Sequence, residues 1–128
     1  MSDNLQRVFV YGTLKRGLEN DHYMKGQTFI GQATSKPLYR MYDFGGYPGI
    51  VHADNGYAIQ GEVWEVDEAC KKQLDILEDI AIGLYTCEPI ELDTPFEAQH
   101  VKAYYYAFPI LNQMDVGGLW DGPLASAE

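Results

Sequence analysis

Arg7–Tyr11 reads RVFVY, and every residue after Arg7 is β-branched or aromatic. A run of this kind, without alternation between polar and apolar positions, predicts a strand covered on both faces and therefore central in a sheet. Gly12 ends it. Downstream, a short helix is expected over Leu18–Gly26, after Gly17, and strands over Thr28–Ala33 and Leu38–Tyr42. Phe44–Gly49 (FGGYPG) is expected to be a loop, because three Gly and one Pro in six residues punctuate regular structure. Ile50–His52 and Ala58–Val66 read as strands joined by a turn at Asp54–Gly56. The imperfect alternation in Ile59–Val66 suggests cover on both faces near its end. Asp67 is placed to cap a helix, with Glu68 favourable in its first turn, and that helix should run to about Asp79. Tyr85–Leu92 and Val101–Phe108 are the last strands, separated by a turn at Asp93–Ala98.

Strands outnumber helices, and the helices interrupt the strands rather than alternate with them. The expected class is α+β, with a mixed sheet curled toward a small barrel and flanking helices. The 128 residues fit one domain over 1–128, ending in an irregular C-terminal tail of about 112–128. With 46% apolar residues, a disordered chain is excluded as a whole-chain reading.

The formal net charge is −10, from nineteen acids against nine bases. Phosphate contacts require clustered Lys and Arg, and a pair such as Lys15–Arg16 is too small for such a footprint, so nucleic acid is not an expected partner. The two cysteines, Cys70 and Cys87, form no metal-binding spacing and no disulfide framework. Neither a secretory leader nor an apolar run long enough to span a membrane is legible, so a cytoplasmic location without membrane contact is expected. His22, His52 and His100 show no ligand spacing and no triad signature; no metal and no cofactor are expected. Composition does not address the oligomeric state.

Two segments carry candidate chemistry. Tyr11–Leu14 (YGTL) follows the core strand directly. Gly12 would let the backbone turn sharply and a ligand approach closely, adopting φ > 0 if the turn requires it, and successive N–H groups there could cradle an anion. The plainer alternative is that Gly12 only terminates the strand. On the expected helix, Cys70, Leu74, Leu77 and Ala81 form the apolar stripe, and Glu78 lies on its flank, about 40° from Leu74. Ile76 points away from the stripe. Partial burial, the helix C-terminus and the nearby Asp75 and Asp79 would each raise the pKa of Glu78, as a general acid/base near neutral pH requires. The alternative is a solvated boundary residue. FGGYPG could shape a pocket wall through Tyr47, Pro48 and Gly49, with Tyr85 another candidate wall residue. Tyr85 and Tyr104–Tyr106 read more readily as core or barrel-lining aromatics than as functional groups.

VFVYGTLKRG (Val8–Gly17), GEVWEVD (Gly61–Asp67), LDILED (Leu74–Asp79) and LY (Leu84–Tyr85), in that order and spacing, resemble the γ-glutamylcyclotransferase-like, or AIG2-like, superfamily. The extended YGTLKRG is most similar to its γ-glutamylamine cyclotransferase branch. The resemblance implies a pocket at the mouth of the sheet, a γ-glutamyl group held by Tyr11, Gly12, Thr13 and Leu14, and catalysis by Glu78. It implies cleavage of a small γ-glutamyl amide to 5-oxoproline and a free amine without a cofactor. Asp79 stands where the family often has Gly, and Thr86–Cys87 where an Arg is frequent; these positions bear on the leaving amine. The alternatives are a cyclotransferase acting on γ-glutamyl amino acids or peptides, which should offer a cation such as Lys15 or Arg16 to the second carboxylate, and a non-catalytic module that binds a small molecule.

Overall fold

The computed structural model describes residues 5–18, 20–45, 47–96 and 100–120. The strands are β1 (Gln6–Val10), β2 (Thr28–Thr34), β3 (Tyr39–Asp43), β4 (Pro48–His52), β5 (Gln60–Val66), β6 (Tyr85–Pro89), β7 (Val101–Tyr106) and β8 (Met114–Asp115). One helix, α1 (Glu68–Leu77), follows β5, and single 3₁₀ turns occupy Asp21–Met24 and Ile80–Ile82. All eight strands belong to one mixed sheet in the order β2-β5-β1-β7-β4-β3-β8, with β6 paired to β7. Among the described residues no pairing joins β2 to β8, so the sheet is not closed into the small barrel expected.

β1 is central, between β5 and β7. Its alternate side chains enter different cores, as a strand buried on both faces requires. Phe9 packs with Met41, Ile50, Val63 and Trp120. Val8 and Val10 pack with Trp64, Val66, Cys70, Leu74 and Tyr104. The second cluster is roofed by α1. Asp67 caps that helix by accepting the Cys70 N–H at 2.8 Å, and Ile76, on the outward face, is 67% exposed.

The neighbours of β7 locate the opening in the sheet. Lys102 pairs with Val8 of β1 and Pro89 of β6, whereas Tyr105 pairs with Ile50 of β4 and Thr86 of β6. A strand residue has only two edges, so β1 and β4 share the same edge of β7 and separate along it. The Tyr11 hydroxyl stands between them. It donates to the Tyr104 carbonyl at 2.6 Å and accepts the Ile50 N–H at 3.2 Å.

Several boundaries differ from expectation. The helix expected over Leu18–Gly26 is reduced to Asp21–Met24; Asn20 gives that turn no side-chain cap, its amide bonding Thr13 Oγ1 instead, and Gly26 leaves with φ 83°. Pro48 and Gly49, expected in a loop, begin β4 and pair with Asp43 and Tyr42. β5 starts at Gln60 because Ile59 exchanges bonds with Ser35, whose hydroxyl accepts the Ile59 N–H and whose own N–H reaches the Ile59 carbonyl. The 112–128 segment carries β8 and Trp120, which is 2% exposed in the core. Residues 121–128, and 97–98 of the expected turn, lie outside the described residues.

Candidate functional site

A cavity of about 420 Å³ opens where β1 and β4 separate, within the size range of small-molecule sites. Tyr11, Gly12, Thr13 and Leu14 line it, and so do Glu78, Tyr47, Pro48 and Tyr85. The structure therefore brings together on one cavity eight of the nine residues singled out in the sequence. Gly49 is not on the wall. It lies behind it, where a Cβ would come within 2.7 Å of the Phe44 ring and 3.1 Å of the Tyr85 hydroxyl.

The loop leaving β1 is held by its own bonds. Lys15 N–H reaches the Gly12 carbonyl at 3.1 Å, and Asn20 N–H reaches the Thr13 carbonyl at 2.8 Å. Gly12 does not take positive φ. Its lack of a side chain answers a different demand: a Cβ there would lie 2.5 Å from Cγ and 2.9 Å from Cδ of Pro48. The loop and the start of β4 thus meet across the cavity floor with no room for a methyl group.

Glu78 ends α1, and its backbone N–H bonds the Leu74 carbonyl. Among the described residues no side-chain hydrogen bond or ion pair engages its carboxylate. Burial first, and then the charge of Asp79, push it up from 4.5 to about 7. Asp75, expected to add to that repulsion, is occupied elsewhere: it accepts from Lys71 and from the Tyr104 hydroxyl, each at 2.7 Å. Asp79 is exposed, lines the cavity beside Glu78, and has φ 54°, the left-handed region that favours glycine.

The tyrosines of the wall are committed to the scaffold. The Tyr85 hydroxyl donates to the Pro48 carbonyl at 2.9 Å. Burial raises Tyr11 and Tyr85 well above the usual tyrosine range, and the Glu78 charge adds to the rise in both. They present neutral rings to the cavity. Tyr47 is the exception, on the rim and 41% exposed.

Asn20 lines the cavity and was not legible in the sequence, since it falls inside the segment expected to be helical. Tyr104 also lines it. No Lys, Arg or His is among the described residues of the wall. Lys15 Nζ bonds the Trp120 carbonyl at 2.7 Å, and Arg16 Nε lies 3.3 Å from the Glu62 carboxylate. Among the described residues no group of three His, Cys, Asp or Glu is placed to hold a metal ion, and no helix is long and apolar enough to cross a membrane.

The profile of the family described as "Gamma-glutamyl cyclotransferase, AIG2-like" matches residues 8–121, and the chain belongs to that family. It is 40% identical over 110 residues to a Vibrio cholerae protein named "Putative gamma-glutamylcyclotransferase", covering 86% of this chain and 91% of that one. It is 35% identical over 115 residues to the gamma-glutamylcyclotransferase family protein ytfP of Citrobacter rodentium, covering 90% and 96%. The crystal structure of an AIG2-like protein from Mus musculus has the same fold, with a TM-score of 0.69 at 24% identity over 84% of this chain and 80% of that one.

Proposed function

We propose that this protein is a cofactor-free cyclotransferase that converts a γ-glutamylamine to 5-oxoproline and a free amine, with Glu78 as the general acid/base. Membership of the AIG2-like family supports cyclotransferase chemistry on a small γ-glutamyl molecule. The observation that carries the assignment of Glu78 is its carboxylate, without a side-chain partner among the described residues and raised to about 7, on the same cavity as Tyr11–Leu14.

The reaction is intramolecular. The substrate's α-amine attacks its own γ-carbonyl carbon, a C–N bond forms and closes the five-membered ring, and the γ-C–N bond to the leaving amine breaks. Fixing the substrate in the bent conformer gives the attack a high effective concentration. Glu78, ionised, takes the proton from the attacking amine and then returns it to the departing one. A carboxyl near 7 is matched to both tasks at neutral pH. In this reading the N–H groups of Gly12–Leu14 hold the α-carboxylate or the developing oxyanion.

The leaving group is assigned to an amine rather than an amino acid because Lys15 and Arg16 are turned away from the cavity and bound to Trp120 and Glu62. A second carboxylate would enter a wall with no described cation. The test is 5-oxoproline formation from a panel of γ-glutamyl alkylamines and γ-glutamyl amino acids. Higher kcat/KM for the alkylamines is expected. Preference for the amino acids would overturn the assigned leaving group, and no product from any member would overturn the activity.

A further inference from the structure

The family-like stretch GEVWEVD contains a residue that the proposed chemistry does not use. Glu62 is 6% exposed, one of two buried polar residues among those described. Its carboxylate collects three donors: Trp64 Nε1 at 3.0 Å, the Arg16 backbone N–H at 3.2 Å and Arg16 Nε at 3.3 Å. Buried carboxylates need such compensation, but Glu62 is also unusually placed. In the antiparallel register of β1 and β5 it lies opposite Val10, the last residue of β1.

Glu62 therefore touches both ends of one loop. Its backbone faces Val10, where the chain leaves the sheet, and its side chain holds Arg16, where the chain returns. The segment between them, Tyr11–Lys15, is spanned at its base by this residue, in addition to its internal bond from Lys15 N–H to the Gly12 carbonyl. All four residues proposed to hold the γ-glutamyl group are inside that closure. The guanidinium of Arg16 is fixed from a second side, since it lies 3.7 Å from the centroid of the Phe29 ring. Arg16 cannot serve the substrate while it serves Glu62.

We infer that Glu62 is a positioning residue for substrate binding, which sets the shape of the Tyr11–Lys15 loop by gripping Arg16 opposite Val10. This rests on the reading of that loop as the γ-glutamyl-binding element, with its N–H groups on the α-carboxylate, which is bound equally before and during reaction, rather than on the developing oxyanion. The loop does not supply the proton, so its displacement should weaken substrate binding while leaving proton transfer by Glu78 intact. Losses of this kind raise KM and spare kcat.

The experiment is steady-state 5-oxoproline formation by the wild type, Glu62→Gln and Arg16→Ala, with thermal midpoints measured on the same samples. Glu62→Gln keeps the shape but weakens the hold on Arg16, and should raise KM about tenfold with kcat changed less than twofold. Arg16→Ala keeps the backbone N–H bond and should raise KM by a smaller factor. It changes an exposed side chain and serves if Glu62→Gln fails to fold. Together the two substitutions should raise KM by less than the product of their separate effects, because they remove one shared contact. Unchanged KM in either folded variant, or a fall in kcat at unchanged KM, would overturn the positioning role while leaving the proposed activity standing. No turnover by the wild type on any γ-glutamyl substrate would overturn both.

Discussion

Glu62 and Glu78 both lie on the inner side of the molecule, and their surroundings treat them in opposite ways. Glu62 is surrounded by donors, two from Arg16 and one from Trp64. Glu78 is desolvated without any described donor and has a like charge beside it in Asp79. A carboxylate with its donors in place holds two segments of chain in a fixed relation. A carboxylate deprived of them sits near the midpoint of its titration, where gaining or losing a proton costs least. On the proposed reading, the difference separates a residue that shapes a site from one that can work in it.

The largest effect should come from removing the titration at Glu78. Glu78→Gln preserves the shape, but an amide cannot take and return a proton, so turnover should fall by about 10²–10⁴-fold with an unaltered circular dichroism spectrum. Near-normal turnover in that variant would end the contrast between the two residues. Next is Gly12→Ala. The new methyl must displace Pro48 or the loop, and kcat/KM should fall on the order of tenfold or more, as misplacement of binding groups does. Gly26→Ala is the informative companion: Gly26 has φ 83° and nothing within 4 Å of a Cβ. It should lower stability by about 1 kcal/mol and leave kcat/KM unchanged. Equal effects of the two variants on kcat/KM would show that the contact with Pro48 is irrelevant to the site.

A third effect concerns stability against pH. The folded-state pKa of Glu78, about 7, lies above its ordinary 4.5. Its protonated form is therefore favoured by folding, and this contribution is present below about 4.5 and lost as pH rises through 7. Glu78→Gln, uncharged throughout, should match the wild-type thermal midpoint near pH 4.5 and exceed it at pH 8. A difference that does not widen between those values would show that ionised Glu78 is better solvated than its setting suggests. The smallest effect belongs to Asp79→Gly. Relieving φ 54° should add about 1 kcal/mol of stability, and loss of the like charge should move the acid limb of kcat/KM a fraction of a pH unit lower. A limb that moves upward would reverse the sign assigned to that neighbour.

The sequence carried the elements whose stability is local. RVFVY reads as a central strand because its own side chains demand cover on both faces, and Asp67 is visible as a cap because capping is a bond over three residues. Glu78 is legible from the helix wheel, and burial on the stripe's flank is the cause that dominates its raised pKa. What escaped depends on contacts distant in the chain. β8 exists through its pairing with β3, and Trp120 is buried by strands from the other end of the chain. The need for glycine at position 12 comes from Pro48, not from the backbone angle that position alone suggested. Arg16 looked available to a substrate because nothing near it in sequence shows Glu62 waiting 46 residues away.

The position of β7 has a consequence for biosynthesis. β1 emerges from the ribosome first among the strands, yet its partner β7 is Val101–Tyr106, the last of the long ones. Until that segment has been translated, β1 has only β5 at its side, β4 is without its neighbour toward β1, and Tyr11 has no Tyr104 carbonyl to meet. Pairings of such wide sequence separation form slowly and leave exposed edges while they are awaited. The cavity is thus absent from any nascent chain that stops short of Tyr106, and the pocket is assembled only once β7 has been made.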